Sequence, residues 1–244
     1  MESSICSQEE TVNLYFVQRA DDSPSSILLC ASQACEEKFR TRWLSVEDCM
    51  QVTPTKEDIF ICDPFEGQAF EYLVSCPKSI VVGPRCILSC LQRMEPIPLV
   101  PSPLHNTAMS RLVVTTTGFP KAEKEGLQRR VQHMSGIYSN NYHQDVTHLV
   151  VKMVGSEKYK VAVEQGVPTM TEQWVTAVWE AVVAGDTSEH VSATDECFQP
   201  YLCQPMHGLV VCVSQADQPT KMKLKRLIEE NGEWRRRVVR GGRG

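Results

Sequence analysis

The stretch Thr147 to Ala184, THLVVKMVGSEKYKVAVEQGVPTMTEQWVTAVWEAVVA, decides the reading of this chain. Thr147 to Val151 is a short apolar segment with the character of a strand. Gly155-Ser156 then leads into a basic helical stretch from Glu157 to Gln165. After Gly166 a second short strand is expected around Val167 to Met170, and a helix from about Thr171 carries Trp174 and Trp179. Trp174 and Val178 stand four apart, as do Val175 and Trp179, so the spacing predicts an aromatic side facing one way.

Upstream of this block the same alternation continues. Arg111 to Thr117 (RLVVTTT) is β-branched and strand-like, and Gly118-Phe119-Pro120 interrupts it. A helix is expected from Lys121 to Met134, with Leu127, Val131 and Met134 inward, Gln128, Arg129 and Gln132 outward, and Gly136 ending it. Strands alternating with helices imply a parallel sheet covered by helices. Glu95 to Pro103, EPIPLVPSP, holds four prolines that fix backbone angles and withhold amide donors, so it reads as a linker or an extended strap.

Before that linker the pattern is again that of a small α/β unit. Asn13 to Arg19 and Ser26 to Cys30 are short apolar segments, and Cys35 to Trp43 is a candidate helix. Asp58 to Cys62 (DIFIC) reads as a buried strand stopped at Asp63-Pro64-Phe65. Ser79 to Val82 repeats the strand pattern, and Arg85 to Arg93 has Ile87, Leu88 and Leu91 at helical spacing. Past the loop-like Gly185 to Gln204, Leu209 to Ser214 (LVVCVS) resembles the Leu112 to Thr117 strand, and Lys221 to Glu230 resembles the helix after it. This internal repeat then breaks at EWRRRVVRGGRG, and one strand with one helix cannot bury a core alone. The expected organisation is a packing unit at 9–100, a second unit at 108–198, an incomplete third at 205–232, and a basic tail at 233–244.

Bulk properties narrow the classes. The 244 residues suffice for one large domain or two of about 100 each. A hydrophobic share of 42% and a charged share of 23% are ordinary for a globular protein. The formal net charge of -5 exerts no global pull toward nucleic acid or anionic membrane, so attraction for phosphate has to be local. Met1 to Glu10 is polar and acidic, unlike a signal peptide, and no run approaches the roughly 20 apolar residues of a membrane helix. The 11 cysteines have irregular spacings, expected of free thiols in a reducing compartment. Zinc held by Cys197, Cys203, His190 and His207 fits no common finger spacing.

The landmarks Ile61-Cys62-Asp63-Pro64-Phe65, Val82-Gly83-Pro84, Thr147-His148-Leu149 and Gly155-Ser156-x-Lys158-Tyr159 come in an order and spacing that resemble tandem BRCT domains. The resemblance spans roughly residues 10 to 232, with the third unit truncated. It implies an α/β fold of tandem BRCT domains, each a small four-stranded parallel sheet flanked by helices. It further implies a nuclear, non-enzymatic scaffold of the DNA damage checkpoint, DNA repair and replication initiation, binding phosphoserine or phosphothreonine without cofactor or metal. Expected partners are phosphorylated proteins, namely the tail of the checkpoint sliding clamp and a replication-initiation factor. DNA contact is secondary, and no membrane is involved.

In that family the phosphate is held by a Ser/Thr hydroxyl at the end of the first strand, a basic residue in the first helix, and a Lys at the start of the second. Matched by position these are Thr117, Lys124 and Lys158, with the amide of Gly118. A phosphate carries about -1.5 to -2 charges and three acceptor oxygens, which two ammonium groups, a hydroxyl and an N–H largely satisfy. The family more often has Arg where Lys124 stands, and Lys supplies a point charge without the fork. Ser214 and Lys221 match the first two elements in the third unit, but Gln215 replaces the Gly, so a vestigial second site is expected there. The first unit shows no Thr-Gly step near Ile27 to Cys35 and no Lys at a helix start after Asp58 to Cys62.

Singly, Thr117 is an ordinary strand-end threonine, and Lys124 and Lys158 ordinary solvated lysines; only their combination carries the phosphate reading. Trp174 and Trp179 read as packing residues. His133, His143 and His148 are accompanied by no hydrolase or nucleotide motif. A cysteine hydrolase lacks its nucleophile, with no Cys between Cys90 and Cys197. The alternatives left open are a DNA-binding module and a purely structural one.

Overall fold

A computed structural model describes residues 12–18, 24–98, 100, 102–184, 191–209, 211 and 216–231. These fall into two compact units. The first comprises the described residues within 1–110, 132–136 and 181–192, and the second those within 111–131, 137–180 and 193–244.

The first unit is built on strands β1 (Asn13–Val17), β2 (Arg40–Leu44), β3 (Asp58–Cys62) and β4 (Ile80–Val82), with helices α1 (Ser26–Glu36), α2 (Val46–Gln51), α3 (Gln68–Ser75) and α4 (Pro84–Arg93). The sheet is parallel in the order β2-β1-β3-β4. Every residue of β3 is buried, as expected for a central strand covered on both faces. On one face Leu14, Phe16, Ile59 and Ile61 meet α1 and α4; on the other Val17, Phe60 and Cys62 meet Cys49, Ala69 and Leu73. Asp58 ends this core with a fixed polar knot. Its carboxylate accepts from the Thr55 amide (2.9 Å), the Thr55 hydroxyl (2.6 Å) and Asn13 Nδ2 (3.0 Å).

One expectation fails in this unit. Cys35 to Trp43 is not a helix: α1 occupies Ser26–Glu36, and Arg40–Leu44 is a strand. Ser25 caps α1 by accepting from the Leu28 amide (3.3 Å), and Leu28, Ala31, Ser32 and Cys35 form its buried stripe. A short apolar run such as Ser26 to Cys30 does not reveal its state by hydrophobicity; the cap and the i, i+3, i+7 stripe carry the signal.

The second unit repeats the plan. Strands β5 (Val113–Thr117), β6 (Ile137–Ser139), β7 (His148–Val151) and β8 (Thr169–Thr171) form a parallel sheet in the order β6-β5-β7-β8. Helices α5 (Lys121–His133), α6 (Glu157–Glu164) and α7 (Glu172–Ala184) connect or follow them. On α5, Val131 is buried, with Met134 buried just beyond the helix, whereas Leu127 is half-buried. α5 ends at His133, and Ser135, with φ +67°, adopts the left-handed turn after it, one residue before the expected Gly136. On α7, Trp174, Val175 and Val178 are fully buried, while Trp179 is half-buried. The Trp174 ring stacks on His148 with centroids 5.0 Å apart, and its N–H donates to the Ala193 carbonyl (3.0 Å).

The described segment from residue 193 onward belongs to this second unit. A 3-10 helix at Glu196–Tyr201 buries Phe198, Leu202 bridges Met170 in antiparallel sense, and the Cys203 amide donates to the Thr169 carbonyl (2.8 Å). Gly208 then passes so close to the loop after β7 that a Cβ there would lie 2.7 Å from the Lys152 carbonyl oxygen. With φ +73° as well, only glycine fits. The expected strand Leu209 to Ser214 falls largely outside the described residues, as does Ser214 itself. The following helix exists as α8 (Gln218–Glu230), held by buried Ile228 and by the Met206 amide donating to the Asn231 carbonyl (2.8 Å).

Candidate phosphate-binding site

β5 points its C-terminal end at the start of α6. Thr115 and Thr116 are buried, Thr117 is half-buried, and Gly118 is exposed with φ +82°. A Cβ at Gly118 would stand 3.4 Å from the Lys152 side chain, an ordinary contact; the left-handed backbone, not crowding, is what favours glycine. Thr117 Oγ1 donates to Ser156 Oγ (2.9 Å), and Ser156 Oγ accepts from the Tyr159 amide (3.2 Å) as the N-cap of α6. The strand-end hydroxyl is therefore tied to a helix N-terminus, where the backbone dipole favours negative charge.

Lys158 lies in the first turn of α6. Its ammonium donates to Thr115 Oγ1 (3.3 Å), the Thr116 carbonyl (3.2 Å) and the Asn140 carbonyl (2.7 Å). Partial burial holds its pKa below the ordinary lysine value, and the neighbouring Lys124 charge lowers it further. Lys124, half-buried in the first turns of α5, has no hydrogen-bonded or ion-paired side-chain partner among the described residues. Two like charges are thus held near each other without a carboxylate between them. Of the two acids that flank Lys124 in sequence, Glu125 is paired to Lys121 (3.9 Å) and Glu123 to Lys152, whose ammonium also sits 5.6 Å from the Phe119 ring centroid.

The structure brings Thr117 and Gly118 to the mouth of this cluster and places Lys124 within electrostatic reach of Lys158. It also adds Ser156, Asn140 and the Lys152–Glu123 pair, which the sequence reading did not single out. Ser156 was legible as a helix-start serine, but its bond to Thr117 joins residues 39 apart and has no local signature. Lys221 is exposed on α8, and no described bond joins it to the cluster. In the first unit α3 starts at Gln68 after Gly67, without a side-chain cap or a lysine. Among the described residues no group of three His, Cys, Asp or Glu is arranged to hold a metal, and no helix is long and apolar enough to cross a membrane.

A family model for a twin BRCT domain matches residues 112–174, and one for the BRCT0 domain of ECT2 matches residues 41–105. Protein ECT2 of Homo sapiens is 30% identical over 183 residues, covering 74% of this chain and 19% of ECT2. The S-M checkpoint control protein rad4 of Schizosaccharomyces pombe is 21% identical over 122 residues, covering 49% of this chain and 18% of rad4. The chain therefore spans less than a fifth of the length of these relatives. A crystal structure of Rad4 BRCT1,2 in complex with a Crb2 phosphopeptide aligns at 13% identity, covering 72% of this chain and 94% of that one, with a TM-score of 0.31.

The two units are BRCT folds: four parallel strands with the second strand at one edge, flanked by helices. The chain carries BRCT domains in tandem, related in sequence to ECT2 and to a checkpoint control protein. Such domains are typically protein-interaction modules without catalytic activity.

Proposed function

We propose that the second unit reads phosphoserine or phosphothreonine in partner proteins, with Thr117, the Gly118 amide, Lys124 and Lys158 as its phosphate ligands. The carrying observation is the pair of lysine charges at one end of the sheet, one buried enough to feel the other and neither paired with a carboxylate among the described residues. A phosphate entering here would relieve that repulsion. The longest of the three Lys158 bonds, to Thr115 Oγ1, is the one most readily exchanged for a phosphate oxygen. Thr117 would rotate its hydroxyl from Ser156 to the ligand, and Ser156 would keep its bond to the Tyr159 amide.

The finer reading is that this is a tandem BRCT region of a DNA topoisomerase II-binding scaffold protein. Its partners would be the phosphorylated tail of the checkpoint sliding clamp and a phosphorylated replication-initiation factor, met in the nucleus. The relation to a checkpoint control protein supports that setting. The first unit serves as a packing module, and Ser214 with Lys221 would form no working second site. Lys124 in place of the commoner Arg should leave binding intact but less directional.

Fluorescence anisotropy with a labelled acidic phosphoserine peptide tests this. Binding should depend on the phosphate and be lost in Lys158→Glu. Equal affinity for phosphorylated and unphosphorylated peptide would sink the proposal.

A further inference from the structure

The sheet of the first unit has a charged, uncovered margin that the phosphate site does not involve. β2 is its edge strand, bonded on one side to β1. In the β1–β2 register Asn13 faces Arg40 and Tyr15 faces Arg42, so these four side chains share one face of the sheet. Farther along that face Val17 and Leu44 are covered by α2 and α3. At the near end a hollow of about 470 Å³ remains, lined by Asn13, Tyr15, Arg40, Thr41 and Arg42.

Both arginines are exposed, and neither has an ion pair or side-chain hydrogen bond among the described residues. Asp58, the carboxylate brought nearest by register, is buried and already accepts from Thr55 and Asn13. Tyr15 stacks on Phe60 at 5.2 Å, which fixes its ring as a firm wall of the hollow. The result is a pair of guanidiniums with no ion-pair partner among the described residues, beside an outer strand edge that no described strand pairs.

We propose that the outer edge of β2 is a docking site for an extended acidic peptide, which adds as a further strand and sets alternate carboxylates against Arg40 and Arg42. Residues two apart in a strand lie about 6.7 Å apart on one face. A segment of the form acid-x-acid therefore presents its carboxylates at the spacing of the two arginines. Main-chain pairing along the edge supplies the sequence-independent part of the binding, as in other strand-addition complexes. Guanidinium forks match carboxylates in two-bond geometry and favour this ligand over a neutral peptide. Two cations on a chain of net charge -5 make a poor track for a nucleic-acid backbone.

The test uses the full chain and a fluorescein-labelled twelve-residue peptide of alternating Glu and Val, with a counterpart in which every Glu is Gln. The Glu peptide should bind, and bind about tenfold more tightly than the Gln peptide, the scale expected of two exposed charge pairs. The double variant Arg40→Gln/Arg42→Gln should remove that preference, with an unchanged thermal melt because both side chains are exposed. Lys158→Glu should leave it intact, which separates this site from the phosphate site. Amide shifts on peptide addition should centre on Arg40–Leu44. Equal affinity for the two peptides, binding unaltered in the double variant, or shifts confined to the second unit would each overturn the proposal. So would displacement of the Glu peptide by single-stranded oligonucleotide at lower concentration than by unlabelled Glu peptide. Absence of binding returns Arg40 and Arg42 to the alternative role of charged edge residues that deter strand pairing.

Discussion

Thr117→Val separates binding from folding at the proposed site, because valine keeps the shape of threonine and removes only the hydroxyl. In the free protein that hydroxyl donates one hydrogen bond, to Ser156 Oγ at 2.9 Å. Its loss should lower stability by about 1 kcal/mol, the net worth of one neutral hydrogen bond. Ser156 retains its cap bond from the Tyr159 amide, so α6 should still start at the same place. Toward a phosphate the same hydroxyl would donate to a charged acceptor, worth about 1.5–3 kcal/mol. The free protein already holds the bond to Ser156, so only the difference of about 0.5–2 kcal/mol bears on binding; at about 1.4 kcal/mol per factor of ten, phosphopeptide affinity should fall roughly 2- to 30-fold. Thr117→Ser keeps the donor and should stay within a few-fold of wild type. Anisotropy titrations beside urea melts of all three proteins give both numbers. If Thr117→Val binds as wild type, or if Thr117→Ser loses as much as Thr117→Val, the hydroxyl is not a phosphate ligand and the reasoning fails.

Other outcomes follow from the same geometry. Because burial and Lys124 hold the Lys158 pKa below the ordinary lysine value, phosphopeptide binding should weaken on the alkaline side earlier than a free lysine would dictate. It should also weaken below about pH 6, where the phosphate takes up its second proton; a profile flat across both ranges would count against Lys158. In the free protein the same depressed pKa means that the unfolded chain binds more protons as pH nears 10.5. Stability should therefore rise with pH in the window just below that value, and Lys158→Gln should abolish the rise in urea melts. Burial tends to raise the Asp58 pKa, but the bonds from Thr55 and Asn13 outweigh it and hold it below 3.8. Its contribution is thus present above the unfolded value and lost as acid reaches the folded one; Asp58→Ala should cost about 2–3 kcal/mol at neutral pH, measured by denaturant unfolding. Trp174→Ala removes a fully buried indole together with its bond to Ala193, and should cost about 3–5 kcal/mol in the second unit, read by near-ultraviolet dichroism during unfolding.

The fold was legible wherever local pattern and burial coincide. Asp58–Cys62 and Val113–Thr117 announce themselves as strands through β-branched or apolar runs bounded by Pro or Gly, and α7 through Trp174 and Val178 one turn apart. The error at Cys35 to Trp43 arose where the signals were weak: α1 holds polar residues among its apolar stripe, and β2 is an edge strand with exposed arginines rather than a buried run. Edge strands pack little, so their sequences are held to no strong alternation.

For the candidate site, the amino-acid sequence by itself determined the residue types and their place on the elements. A hydroxyl and a glycine end one strand, a lysine lies in the helix that follows, and a second lysine opens a later helix. Tertiary structure alone decided their electrostatics. Parallel pairing of β5 with β7 brings the ends of two strands distant in sequence to one edge. There Lys158 turns its ammonium onto the Thr116 and Asn140 carbonyls, Thr117 meets Ser156, and Lys124 is left without a carboxylate partner among the described residues while Lys152 takes Glu123. The same holds for Arg40 and Arg42, which become a paired surface because β2 lies at the edge of its sheet. Local sequence sets backbone propensity over a few residues. Charge pairing and desolvation depend on which distant groups the packed sheet draws within a few ångströms, and that is settled only when the chain folds.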